Sequence, residues 1–380
     1  MKKRSIAFYG FRGGKGGISH VMLNLLHAVA DEGLKVHLLL NSTDIPELSK
    51  VKKNIEIKRL GDSTGFARIF RLSKYIKEEK PDVILCNRER ANLTAVLAKK
   101  LAGSSTRVAF RVGMPMSFAL ERRNILKRTL RSFSIRYSYH NADHIIANSQ
   151  AVAKDISDVT HIPQSVINVL NNPVVVPEIF KEAERPTEHP WFHKKDIPVI
   201  LGIGRLAPQK DFSALIRAFS GVKKEMDTRL VILGDGKERE ALLSLACELG
   251  IRDYVDLPGF VSNPFSFLKR ASLFVLSSAW EGLPNVLMQA IALGTPVAST
   301  DCISGPREIL KDGLYGPLVP VGDHKALSRA MLEVLQNPPQ KAFLQQGAER
   351  YRADICAREY LKAMKLAEDT GAGLSPVQKA

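Results

Sequence analysis

Residues 5–33 read SIAFYGFRGGKGGISHVMLNLLHAVADEG. A short apolar run leads into glycines at 13, 14, 16 and 17 around Lys15, and then into apolar residues at helical spacing. That pattern is a strand, a glycine turn and a helix. Such a turn offers the free N–H groups of a helix start, which cradle phosphates. Two familiar phosphate loops do not fit. A P-loop needs Gly, four residues, then Gly-Lys-Ser/Thr. Here Gly10 lies too close to Gly14, and Gly16 follows Lys15 where a hydroxyl should stand. The dinucleotide fingerprint needs G-x-G-x-x-G and an acid at the end of the second strand. The second strand, KVHLLL, is followed by Asn41, Ser42 and Thr43 before Asp44, which is late. The turn therefore reads either as a phosphate site of another kind or as a plain tight turn.

The same alternation continues outward. Apolar runs at 5–9, 35–40, 55–59, 82–86, 107–110, 143–147 and 166–169 read as strands. Helical patterns at 18–32, 66–79, 90–102, 118–139 and 149–158 separate them. This predicts a parallel α/β sheet covered on both faces. Residues 171–198 hold five prolines and many charges without clear periodicity, and read as a linker. A second alternation follows, with strands near 198–203, 229–233, 254–257, 272–276, 296–299 and 317–319. Helices fit 211–222, 237–249, 284–293 and 323–337, and further helical sequence runs over 339–369. The expected architecture is two doubly wound domains facing across a cleft, with ligands at the carboxyl ends of the strands.

Composition agrees with a globular enzyme. The chain has 380 residues, 45% hydrophobic and 25% charged, enough for two domains. Four cysteines (Cys86, Cys247, Cys302, Cys356) are scattered without C-x-x-C or zinc spacing, as in a reducing compartment. The first apolar run is too short for a signal peptide, and no stretch approaches the ~18 apolar residues of a membrane span. Residues 1–170 hold 29 of the 55 Lys and Arg but 14 of the 39 Asp and Glu. The excess of +16 thus sits almost wholly in the first half, which nets +15. It implies an anionic partner there or a solvated basic surface. Nucleic acid is disfavoured, because the interleaved aromatics of a stacking platform are absent.

Three turns at strand ends of the second half carry chemistry. In GIGRLAPQKD (202–211), Gly204, Arg205 and Lys210 put two cations on a strand-to-helix turn, suited to a diphosphate or to a surface ion pair. In LGDGKER (233–239), Gly234 and Gly236 close a turn or let backbone approach a flat ligand. In AWEGLPNVLMQAIALGTPV (279–297), Glu281 and Gly282 precede a helix starting near Pro284. Free amides at Asn285 and Val286 would bind an anion there.

The chain resembles the retaining GT-B glycosyltransferases of glycosyltransferase family four. The resemblance is densest in GIGRLAPQKDFSALIRAF, LVILGDGKEREALLSLACELGI and VDLPGFVSNPFSFLKRASLFVLSSAWEGLPNVLMQAIALGTPVASTDCISGPREIL. It also runs through GPLVPVGD and, in the first half, GGISHVMLNLLHAVADEGLKVHLLL and ADHIIANSQAVAKDI. It implies an acceptor-binding domain over 1–172, a linker over 173–197 and a nucleotide-sugar-binding domain over 198–354. A C-terminal helix near 355–370 would pack back on the first domain, and 371–380 would form a disordered tail.

By the same resemblance, Arg205 and Lys210 grip the donor diphosphate, with Gly204 and the amides of Asn285 and Val286. Glu281 orients the donor sugar, with Gly282, Leu283 and Pro284 beside it. Gly234, Gly236, Phe260 and Val261 border the nucleobase. Gly14, Gly16 and Gly17 let the first domain close on the diphosphate; Lys15 is either a contact or a solvated lysine. No prosthetic group and no metal are implied, since the cations take the leaving charge. Two departures stand out. The usual second glutamate is replaced by Gln289, whose carbonyl still accepts from ribose hydroxyls. No histidine follows the fifth strand, where AFRVGMPMSFALERR offers Arg111; His20, His140 and His144 remain unassigned.

The stretch FALERRNILKRTLRSFSIRYSYH (118–140) is basic and helical. Phe118, Leu126, Leu130, Phe133 and Tyr137 recur at three- and four-residue steps. It reads as an interfacial helix on anionic lipid or as a core-facing helix with a charged outer side. The expected function is transfer of a hexose or N-acetylhexosamine from a UDP-sugar to a lipid-linked or lipopolysaccharide-core saccharide. The expected location is the cytoplasmic membrane face. A sugar-nucleotide epimerase and a non-catalytic binding protein on the same fold are the alternatives.

Overall fold

The strands expected to be central are apolar on both faces, and they are buried accordingly: every residue of β1 (Ser5–Tyr9) and β4 (Val83–Cys86) is inaccessible. The computed structural model describes residues 3–14, 16–41, 45–61, 65–117, 120, 125–193 and 196–367. With β2 (Lys35–Leu40), β3 (Ile55–Arg59), β5 (Arg107–Val112), β6 (His144–Ala147) and β7 (Ile167–Val169), these strands form a seven-stranded sheet in the order β3-β2-β1-β4-β5-β6-β7. All pairings are parallel. Helix α1 (Gly17–Asp31) covers one face; α2 (Gly65–Glu79), α3 (Glu89–Ala102), α4 (Ile125–His140) and α5 (Gln150–Thr160) cover the other.

The second sheet runs β10-β9-β8-β11-β12-β13. Its strands are β8 (Val199–Ile203), β9 (Arg229–Leu233), β10 (Val255–Gly259), β11 (Leu273–Leu276), β12 (Val297–Thr300) and β13 (Leu318–Val319). In both sheets the order reverses beside the first strand, so a crevice opens at the carboxyl ends there. The two-domain α/β expectation is met, and the architecture is GT-B.

The stretch 171–198 is more structured than its prolines suggest. Pro177 occupies a first helical position, where its missing N–H costs nothing, and starts α6 (Pro177–Glu184). Ile179 and Ala183, one turn apart, bury their side chains in the core of the second sheet. The helices of the second half are α7 (Phe212–Glu225), α8 (Arg239–Glu248), α9 (Phe265–Arg270), α10 (Asn285–Leu293), α11 (Pro306–Ile309) and α12 (His324–Gln336). The helical run over 339–369 breaks into α13 (Lys341–Ala348), a 3-10 turn at Glu349–Tyr351 and α14 (Ala353–Ala363).

At that break the chain returns beside its outward path. The amides of Val174 and Val175 both donate to the Tyr351 carbonyl, and the Ala353 amide donates to Val175. Helix α14 then joins the core of the first sheet, where Ala357, Tyr360 and Leu361 cluster with Leu25 and Val29 of α1. Arg4 and Arg107 donate to the carbonyls of Leu366 and Met364, tying down its end. The tail expected to be disordered, 371–380, lies outside the described residues.

Helix α4 turns part of its apolar stripe outward. Ile135, Ser138 and Tyr139 face the core, while Leu130 and Phe133 are 66% and 73% exposed. Phe118 and the side chain of Leu126 lie outside the described residues. Among the described residues, no helix is long and apolar enough to cross a membrane.

Candidate active site

The turns after β8, β9 and β10 form one backbone platform. Gly204 N donates to Leu233 O (2.9 Å), Gly234 N to Gly259 O (2.8 Å) and Leu206 N to Asp235 O (2.9 Å). A side chain on Gly234 or Gly236 would drive into the carbonyls of Gly204 or Leu206, and Gly234 has φ +137°. Glycine is therefore required where these turns stack. Phe260 lies exposed at the platform's edge, its amide donating to Asp235 (3.1 Å). Val261 packs inward against the core.

Arg205 projects from the platform into solvent. Lys210 turns inward and pairs with Glu281, whose side chain is nearly inaccessible. The Ser278 hydroxyl donates to the same carboxylate oxygen (2.7 Å). The two loops are sewn together: Ala279 N donates to Gln209 O, Gln209 Nε2 to Trp280 O and the Ser277 hydroxyl to Lys210 O. A buried ion pair of this kind is costly to break from one side, because the survivor is stranded.

Helix α10 begins beside this pair. Its N-cap is Pro284, and no side chain among the described residues caps it. The amides of its first turn thus lack the usual side-chain oxygen. Leu283 and Pro284 are buried, and Gln289, one turn on, is half-buried. The residues read as a donor site from the sequence thus gather at one place.

The first domain closes over it. Gly282 meets the Gly113 carbonyl so tightly that no side chain could replace its hydrogen. Asn285 Nδ2 donates to Gly17 O (3.3 Å). A side chain on Gly17 would press against that amide at 2.9 Å, whereas Gly14 and Gly16 face open space. Lys15 lies outside the described residues. Ser304 bridges Gly282 O and the Ser149 hydroxyl (2.8 Å). The Glu308 carboxylate, from α11, accepts from Gln150 N at the start of α5 (3.1 Å). Burial raises the Glu308 pKa, opposed by the amides of Gln150 and Ala151.

The sequence did not reveal the polar network beneath. Arg111 Nη2 donates to Asn172 Oδ1, and Asn172 Nδ2 donates to Asn285 Oδ1 (2.8 Å). No motif marks Asn172. Arg111 is buried within this network. His20 bonds to the Gly16 carbonyl, and His140 to its own helix. His144 sits at the start of β6, away from the cleft end of the strands.

Two doubly wound domains that meet with a cation, a sheltered lysine–glutamate pair and an uncapped helix end between them define a GT-B glycosyltransferase. The comparisons agree. Residues 15–176 match the family model described as Glycosyltransferase Family 4, and residues 184–351 match Glycosyl transferases group 1. An uncharacterised glycosyltransferase of Methanocaldococcus jannaschii is 34% identical over 64% of this chain, which spans 61% of that relative. The N-acetylgalactosamine-N,N'-diacetylbacillosaminyl-diphospho-undecaprenol 4-alpha-N-acetylgalactosaminyltransferase of Campylobacter jejuni is 28% identical over 93% of this chain and 96% of its own. The lipopolysaccharide 1,6-galactosyltransferase of Salmonella typhimurium is also 28% identical, over 83% and 86%. Among solved structures, the apo lipopolysaccharide outer core galactosyltransferase WaaB superposes with a TM-score of 0.75 at 23% identity, covering 95% of this chain and 99% of its own. Anabaena HepE in complex with UDP gives 0.76 at 16% identity, covering 96% and 100%.

Proposed function

We propose that this glycosyltransferase moves a hexose or N-acetylhexosamine from a UDP-sugar to a lipid-linked or lipopolysaccharide-core saccharide, with retention and without a metal. The observation that carries the donor reading is the Lys210–Glu281 pair beside Arg205 and the uncapped end of α10. The bond between the anomeric carbon and the phosphate oxygen breaks, and negative charge grows on the leaving diphosphate. Arg205, Lys210 and the amides of Asn285 and Val286 stabilise it in a closed, low-dielectric cleft. Glu281 accepts hydrogen bonds from the sugar hydroxyls. The acceptor hydroxyl attacks from the face the diphosphate leaves, and its proton passes to the departing phosphate oxygen. Gln289 accepts from the ribose. The UDP complex of a structural neighbour and the polyprenyl and lipopolysaccharide relatives support this choice of donor and acceptor.

The acceptor domain works, on this reading, against an anionic membrane surface. Leu130 and Phe133 of α4 and Phe66 and Phe70 of α2 stand exposed on helices covering the same sheet face. Arg71, Lys74, Arg128 and Arg136 are exposed on the same two helices. Exposed apolar side chains on helices that also carry exposed cations suit an anionic bilayer surface.

The test is a thermal-shift and donor-hydrolysis panel of UDP-, GDP-, ADP- and CMP-sugars, with and without EDTA, on wild type and Lys210→Ala. The expected result is stabilisation by UDP-sugars alone, unchanged by EDTA, and at least about a hundredfold loss of kcat/KM in the variant. Stabilisation by no nucleotide would refute the donor site.

A further inference from the structure

Asn172 lies where the chain leaves β7 for the second sheet, and only 3% of it is accessible. Its amide is held from both sides. A guanidinium has donors only, so the bond from Arg111 fixes the Asn172 carbonyl oxygen toward the first domain. The Asn172 NH2 group must then face the second domain, where it meets Asn285 Oδ1. That turns the Asn285 carbonyl oxygen toward the first domain and away from the amides of its own helix. The first turn of α10 stays uncapped.

Arg111 has the same small exposure and makes no ion pair among the described residues. Asn172 accepts from it, the neutral Tyr360 hydroxyl lies beside it, and its Nε is buried without a hydrogen-bond partner among the described residues. A buried, unpaired guanidinium is costly, and packing alone would be served better by an apolar residue. What the charge does here is pin one amide in one orientation.

We propose that Asn172, oriented by Arg111, is a positioning residue for the donor. It draws the Asn285 side chain off the first turn of α10, so those amides stay open for a diphosphate. Through the Asn285–Gly17 bond it also ties that helix end to the glycine loop of the other domain. The inference rests on the donor site proposed above.

The test is Asn172→Asp. The carboxylate still accepts from Arg111 and now pairs with its charge, so the fold is kept. It cannot donate to Asn285. If Asn285 flips its amide to donate to the new carboxylate, its NH2 leaves the Gly17 carbonyl. The expected result is a rise of about tenfold in the donor KM and the UDP Kd. The ratio of donor hydrolysis to transfer rises too, and the thermal midpoint without UDP is no lower than in wild type. The double variant Arg111→Met/Asn172→Leu removes both polar partners in similar volume, and is expected to fold and to lose UDP affinity likewise. Asn172→Asp with wild-type UDP affinity, KM and hydrolysis ratio would overturn the inference and leave the donor site standing. A wild type that binds no nucleotide would overturn both.

Discussion

At the scale of single residues, the glycines separate by what surrounds them. Gly236 abuts the Leu206 carbonyl, whereas Gly16 has open space and an ordinary extended backbone at φ −84°. Gly236→Ala should destabilise by about 1–3 kcal/mol through backbone displacement and abolish the thermal shift with UDP. Gly16→Ala should alter stability by less than about 0.5 kcal/mol, its effect confined to catalysis. Urea unfolding of the two variants checks the contrast. Lys210, Glu281 and the paired glycines could be read from the sequence because each sits in a short strand–turn–helix signature. Arg111, Asn172 and Asn285 could not be joined that way. Their contacts span 61 and 113 positions, and the second exists only once two domains are set face to face.

At the scale of elements, α4 shows how far an apolar stripe can be read. Leu130 and Phe133 keep helical spacing and stand exposed, while Ile135, Ser138 and Tyr139 are buried and Tyr137 packs half-buried beside them. A stripe of apolar residues states that a helix has a greasy side, and does not state what lies against it. The exposed stripe yields an expectation. Leu130→Ser/Phe133→Ser should bind vesicles containing anionic phosphatidylglycerol about tenfold more weakly, with transfer to a short, soluble acceptor unchanged. Co-sedimentation with those vesicles, and with neutral phosphatidylcholine as the control, tests it. Equal binding by variant and wild type would refute the membrane face. Element α6 was hidden for the opposite reason. Two buried apolar residues among prolines and charges are too few to register as a pattern, although Pro177 is a helix-start residue.

At the scale of the whole molecule, protons report on the fold. His27 and His144 are held below the usual imidazole value, first by burial and then by Lys52 and Arg107 respectively. They stay neutral in the native state where the unfolded chain protonates them. The unfolded state therefore binds more protons below about pH 6.5, and stability falls as pH drops through that value. Glu308 and Glu359, raised by burial, act with the opposite sign, from about pH 4.3 upward. Melting temperature should fall between pH 7 and pH 5.5, and His144→Gln should flatten the slope; an unchanged slope would assign the dependence elsewhere.

The return of α14 to the first sheet bears on synthesis. Chains emerge from the ribosome N-terminus first, and a leading domain usually folds while the rest is made. Here the leading sheet, complete by Val169, lacks a helix that begins at Ala353. At the usual pace of translation its apolar face beside α1 waits roughly 10–40 s for that cover. The nascent protein thus carries an uncovered apolar face until its last helix is made, and a ribosome that stops early leaves the domain at its front unfinished.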